Sequence, residues 1–108
     1  NLFSYGTLQL KKVQLELFGR LLNSSADSLP GYKLSNIEIK DEDVIQKSGE
    51  RFHPIAIETK DTRDFVGGVV LEITPEELDL ADNYETDDYK RVEVKLQSGK
   101  SAFVYISN

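Results

Sequence analysis

The chain has 108 residues, a net charge of −6 and 39% hydrophobic content, which suits one soluble globular domain with one core. Its 13 basic residues are scattered through an acidic sequence of pI 4.7, which excludes the clustered Lys and Arg that hold a phosphate backbone. Cysteine is absent and His53 is the only histidine, which excludes disulfides, thiol nucleophiles, iron–sulfur clusters and Cys- or His-cluster metal sites.

No apolar run reaches the length of a membrane span, and no signal-peptide pattern is present. The expectation is a single cytoplasmic domain over residues 1–108, with no metal, no cofactor, no nucleic acid and no membrane among its partners. The sequence starts at Asn1 and contains no methionine, so a short native stretch before Asn1 is also expected.

Leu2-Phe3-Ser4 reads as a strand that stops at the glycine turn Tyr5-Gly6-Thr7-Leu8. From Gln9 to Leu22 the apolar positions recur every three or four residues, which predicts a helix, with Gly19 marking an early stop. Asn23–Ser28 reads as a polar connector and Leu29-Pro30-Gly31 as a turn. Tyr32–Ile39 alternates, then slips by one residue, predicting a strand with a bulge. Lys40–Arg51 reads as a charged loop or weak hairpin, and Ile55–Ile57 as a short strand. Phe65–Ile73 is the most apolar strand, and Gly67-Gly68 inside it marks a bend or a close approach.

Thr74-Pro75-Glu76-Glu77 is a helix start, with Thr74 as N-cap, Pro75 in the first turn and Glu77 completing a capping box. That helix runs to about Tyr84 or Glu85. Tyr89–Leu96, the turn Ser98-Gly99-Lys100 and Ala102–Ile106 form a hairpin. About six strands with two helices interspersed predict an α+β fold, with a curled, largely antiparallel sheet or small barrel.

On a helical wheel Glu85 falls on the side of Leu78, whereas Leu80 lies opposite, as if the helix were covered on two sides. A carboxylate there loses hydration and sits at the negative end of the helix dipole, and both raise its pKa toward general acid–base work. The plainer reading is a frayed helix end with Glu85 in water. The Tyr5–Leu8 turn either offers backbone N–H groups to an anion or oxyanion or is a plain strand-to-helix turn. Tyr89 and Tyr105 are either half-buried core or hydroxyls for a ligand. Asp82 is either a second acid or a partner of loop backbone. His53 is surface or structural, and the chemistry gives it no task.

In order along the chain, several blocks resemble the γ-glutamylcyclotransferase-like family, in its AIG2-like branch. Leu2–Leu8 is similar to the family's start, hydrophobic-x-x-Tyr-Gly-Thr/Ser-Leu. Leu29-Pro30-Gly31-Tyr32 and Phe52-His53-Pro54-Ile55-Ala56 resemble its middle. Val66–Thr74, Leu78, Asp82-Asn83-Tyr84-Glu85 and Tyr89–Val94 resemble its glycine–valine strand, Leu-Asp-x-Tyr/Phe-Glu helix end and Tyr-x-Arg strand. Phe103–Ile106 resembles its last strand.

The resemblance implies a small, largely antiparallel β-barrel with flanking helices and a cavity at one side. It implies a cyclotransferase that releases 5-oxoproline from a small-molecule γ-glutamyl amine or peptide, with Glu85 as the catalytic acid/base. It further implies that Tyr5, Gly6, Thr7 and Leu8 bind the γ-glutamyl part through backbone groups, and that Tyr89 and Tyr105 border the cavity. Ala81 and Ile55 depart from the pattern without removing a chemical group. Gln9–Arg20 lacks the Gly- and Asn-containing stretch of some γ-glutamylamine enzymes, so substrate identity does not carry over. The alternatives are a non-catalytic module on the same fold that binds a small metabolite or a partner, and a structural domain of a larger protein.

Overall fold

The computed structural model describes residues 1–108. Its strands are β1 (Leu2–Ser4), β2 (Ser24–Pro30), β3 (Tyr32–Glu38), β4 (Phe52–Glu58), β5 (Phe65–Leu71), β6 (Tyr89–Lys95) and β7 (Ser101–Ser107). Its helices are α1 (Lys11–Phe18), α2 (Glu42–Ser48) and α3 (Pro75–Tyr84), with a single 3-10 turn at Thr7–Gln9. Five strands form one sheet in the order β2-β5-β1-β7-β6, and β3 and β4 pair as a separate ribbon. Within the large sheet only β1 and β7 run parallel. The fold is therefore α+β and largely antiparallel, but the expected barrel is not closed.

The alternation of β1, β5 and β7 divides the apolar residues between two cores. Phe3, Tyr5, Val66, Val70, Ala102, Val104 and Ile106 join Leu29, Tyr32 and Ala56 in one core. Leu2, Leu71 and Tyr105 point the other way, onto Leu8, Val13, Ile39, Val44, Ala81 and Tyr84. No helix is long and apolar enough to cross a membrane.

Three readings are corrected. Ser24–Pro30 is not a connector and turn but a full strand that pairs with β5 from Ser24↔Leu71 to Pro30↔Phe65. Its Ser- and Asp-rich sequence has little strand preference, and only Leu29 is buried; pairing with the apolar β5 overrides local propensity. Lys40–Arg51 contains α2. Asp41 caps it by accepting hydrogen bonds from Asp43 and Val44 N–H, and Gly49 ends it at φ 74°, which is the ordinary start and stop chemistry of a helix. The expected bulge in β3 is absent, because its ladder with β4 is continuous from Tyr32↔Glu58 to Glu38↔Phe52.

Other expectations hold. Gly19 ends α1 in the left-handed region. Thr74 and Glu77 form the capping box of α3. The close approach at Gly68 is to β1, since a Cβ there would collide with the Ser4 carbonyl oxygen and stand 2.8 Å from Phe3 Cζ.

Candidate active site

A pocket opens beside the end of β1, lined by Phe3, Ser4, Tyr5, Gly6, Thr7, Leu8, His53, Pro54, Glu85, Tyr89 and Tyr105. Glu85, Tyr5, Gly6, Thr7, Leu8, Tyr89 and Tyr105, expected as catalytic or substrate-binding, are all on this wall, whereas Asp82 is not.

The loop is built by commitments of its carbonyls. Gln9 N–H donates to Gly6 O and Leu10 N–H to Thr7 O. The buried Gln14 donates to Leu8 O at 2.9 Å and accepts from Leu22 N–H at 3.0 Å, which fixes the loop to α1. Thr7 Oγ1 shares a 2.7 Å hydrogen bond with the Tyr84 hydroxyl, which fixes it to α3. No oxygen of the protein accepts from the N–H groups of Gly6, Thr7 or Leu8. Consecutive unspent N–H groups make a site for negative charge.

Glu85 is the C-cap of α3, with extended backbone at φ −71° and ψ 137°. Its N–H still donates to Ala81 O and its φ is helical, so the Cβ leaves α3 where the wheel puts it, on the side of the half-buried Leu78, and ψ turns only the chain that follows. Leu80, expected under a second cover, is 41% exposed. The Glu85 side chain enters the pocket. There it stands beside Tyr5, Tyr89 and Tyr105. It makes no hydrogen bond and no ion pair with the protein, and burial pushes its pKa up to about 8.

The three tyrosines are held by their hydroxyls. Tyr5 donates to the Tyr105 carbonyl at 2.6 Å and accepts from Ala56 N–H at 3.0 Å. Tyr89 donates to the Pro54 carbonyl at 2.8 Å. Tyr105 donates to Asp82 at 2.6 Å. Burial pushes all three phenols up, and the charge of Glu85 adds to the rise in each. Asp82 is neither a second acid in the pocket nor a partner of loop backbone; it ties Tyr105 and Arg91 together.

His53 is not at the surface. It is 3% exposed, with Nε2 between Ser48 Oγ at 3.1 Å and the Glu50 carbonyl at 3.0 Å. Burial lowers its pKa, so it stays neutral near pH 7. Sequence reasoning missed Gln14 and the Pro54 carbonyl. Gln14 on the apolar side of a short helix is a readable signal; a backbone acceptor is not. No three His, Asp or Glu side chains converge in a way that could hold a metal.

The model of the family described as gamma-glutamyl cyclotransferase, AIG2-like, matches residues 2–108. No curated protein matches the chain. Three solved structures share its fold. One is a gamma-glutamyl cyclotransferase, at TM-score 0.71 and 18% identity over 99% of this chain and 65% of that one. A protein from Arabidopsis thaliana, solved in solution, gives TM-score 0.68 and 21% identity over 98% of this chain and 60% of its own. A crystal structure of an uncharacterized protein from Pyrococcus horikoshii gives 0.63 and 21%, over 98% and 75%. The chain thus spans 60% to 75% of the length of these proteins, and at such identities the likeness is one of fold. The match spans all but the first residue, and the chain belongs to the γ-glutamyl cyclotransferase, AIG2-like family.

Proposed function

We propose that this protein is a cyclotransferase that releases 5-oxoproline from a γ-glutamyl amine or peptide, with Glu85 as general base and general acid and residues 1–108 as one catalytic domain. One observation carries the reading: the unpartnered Glu85 carboxyl, raised to about 8 by burial, stands in the same pocket as the unspent N–H groups of Gly6, Thr7 and Leu8.

In this reading ionised Glu85 takes a proton from the substrate's α-ammonium. The freed amine attacks the γ-carbonyl carbon and closes a five-membered ring. The carbonyl oxygen becomes an oxyanion held by the loop N–H groups. Glu85 returns its proton to the γ-nitrogen as the C–N bond breaks, then takes the second proton from the ring nitrogen. That proton leaves with the released amine, which ends as an ammonium ion, so charge is conserved. Holding the substrate folded over its own carbonyl supplies proximity. Tyr5, Leu8, Tyr89 and Tyr105 shape the pocket that imposes this fold.

The test is a screen of γ-glutamyl amines and peptides for 5-oxoproline release, with Glu85→Gln run beside the wild type. Loss of acid–base help costs about 10²–10⁴-fold, and one group serving several transfers puts the expectation at the upper end. A Gln variant that turns over like the wild type overturns the mechanism. Binding without turnover of any compound favours the non-catalytic module.

A further inference from the structure

A phenol has one proton to donate, and in Tyr89 and Tyr105 that proton is already committed. Tyr89 donates to the Pro54 carbonyl at 2.8 Å and Tyr105 to Asp82 Oδ1 at 2.6 Å. A carbonyl and a carboxylate can only accept, so the direction of both bonds is forced. Each phenol oxygen keeps lone pairs for a ligand and nothing to donate. Ionised Glu85 is likewise acceptor-only. One side of the pocket therefore offers acceptors, while the Gly6–Leu8 loop offers donors.

The polarity of Tyr105 is set from outside the pocket. Asp82 is one turn before Glu85 on α3 and does not line the pocket. Its Oδ2 is 3.0 Å from Arg91 Nη1, and the Arg91 guanidinium lies 5.0 Å from the centre of the Phe103 ring. That stacking holds the cation in place on the large sheet. With Oδ2 occupied by Arg91, Oδ1 is left to receive the Tyr105 proton.

We infer that Asp82 is a positioning residue that holds Tyr105 as an acceptor, and that Tyr105, Tyr89 and Glu85 together receive the ammonium of an α-amino acid head group. The inference rests on the reading that this pocket takes a γ-glutamyl compound. It adds a residue that touches no substrate yet selects ligands by their free amine.

Asp82→Asn tests it with little change of shape, since residue 82 is on the exposed side of α3. The amide oxygen stays with Arg91, its NH₂ faces Tyr105, and the phenol proton is turned toward the pocket. Two ligands that differ only in the amine, L-glutamine and glutaramate, are titrated by NMR chemical shift. Asp82→Asn should raise the Kd of glutamine about tenfold or more, the range of a lost hydrogen bond to a charged group, and leave that of glutaramate within about twofold. Tyr105→Phe should reproduce the same selective loss. Equal weakening of both ligands would mean a structural role only and overturns the inference, as does no change in either. A wild type that binds neither overturns this inference and the pocket reading together. Amine-selective loss, with no 5-oxoproline released from any γ-glutamyl compound, supports the inference and overturns the catalysis alone.

Discussion

Glu85 is a carboxyl held among apolar and phenolic groups with nothing to pay for its charge, and this has consequences beyond catalysis. Below about pH 4.5 the folded and unfolded chains both carry its proton, and burial costs nothing through ionisation. From there to about pH 8 the unfolded chain ionises while the folded chain keeps the proton. The native state then binds more protons, so stability falls as pH rises. The full loss, present above about pH 8, is about 5 kcal/mol at most. Glu85→Gln removes this dependence. Its melting temperature should match the wild type near pH 4.5 and exceed it increasingly up to pH 8, as read by thermal melts across that range. Wild-type kcat/KM should rise with pH toward about 8, where the folded enzyme's Glu85 ionises, and level off above it. His53 behaves differently, because its ring is spent on Ser48 and Glu50. His53→Ala should lower the melting temperature but leave turnover within a few-fold. A loss above about a hundredfold in a folded variant, about 2.7 kcal/mol of barrier, would overturn its structural assignment.

Among the elements, the contact of β5 with β1 decides how close the loop comes to Glu85, since β1 leads directly into Tyr5–Leu8. Gly68 is where the two backbones touch. A Cβ there meets the Ser4 carbonyl, which is backbone and cannot give way, whereas a Cβ at Gly67 meets nothing within 4 Å. Gly68→Ala should therefore cost about 1–3 kcal/mol or more through overpacking. Gly67→Ala should be neutral or slightly stabilising, because glycine weakens a strand interior. Urea midpoints of the two variants check the pair, and equal destabilisation would refute the close-approach account. Element α3 is anchored at its other end, where Glu77 accepts from Thr74 N–H and from Arg20 at 2.8 Å. Both ends of the helix that presents Glu85 are thus tied to the rest of the fold.

Across the whole molecule, the pocket lies on the seam between the β3–β4 ribbon and the large sheet. The ribbon's second edge is not paired with a strand. Pro54 has no N–H to offer there, a position where proline is tolerated, and its carbonyl is taken by Tyr89. Two residues on, Ala56 N–H is taken by Tyr5. Side-chain hydroxyls cover the edge where ladder bonds would close a barrel, and the opening left beside them is the pocket. Tyr5→Phe removes both bonds of that hydroxyl and leaves the fully buried Ala56 without an acceptor. It should cost about 1–3 kcal/mol, and hydrogen exchange at the Ala56 amide should speed up markedly. Unchanged exchange at Ala56 would show that the hydroxyl does not hold the seam.

The elements with strong local chemistry were legible from residues alone. The Thr74–Glu77 box, the α1 stop at Gly19 and the β6–β7 turn at Gly99 depend on neighbours a few positions away, and short-range rules reach that far. The resemblance, carried by motifs in order, also pointed to Glu85 and the Tyr5–Leu8 loop as parts of one cavity, and all of them line one pocket. Other features had no local cause. Strand β2 exists because β5 offers it a ladder, and α2 carries too few apolar residues for its period to show. The wheel gives the side of α3 from which Glu85 leaves, but not the pocket it enters. Its raised pKa needs surroundings drawn from β1, β4, β6 and β7. The bonds from Tyr5 to Tyr105 and Ala56, and from Tyr105 to Asp82, join residues 100, 51 and 23 positions apart. Which hydroxyl faces which acceptor across such separations is decided by the packing of two sheets and a helix, and only the tertiary structure supplies it.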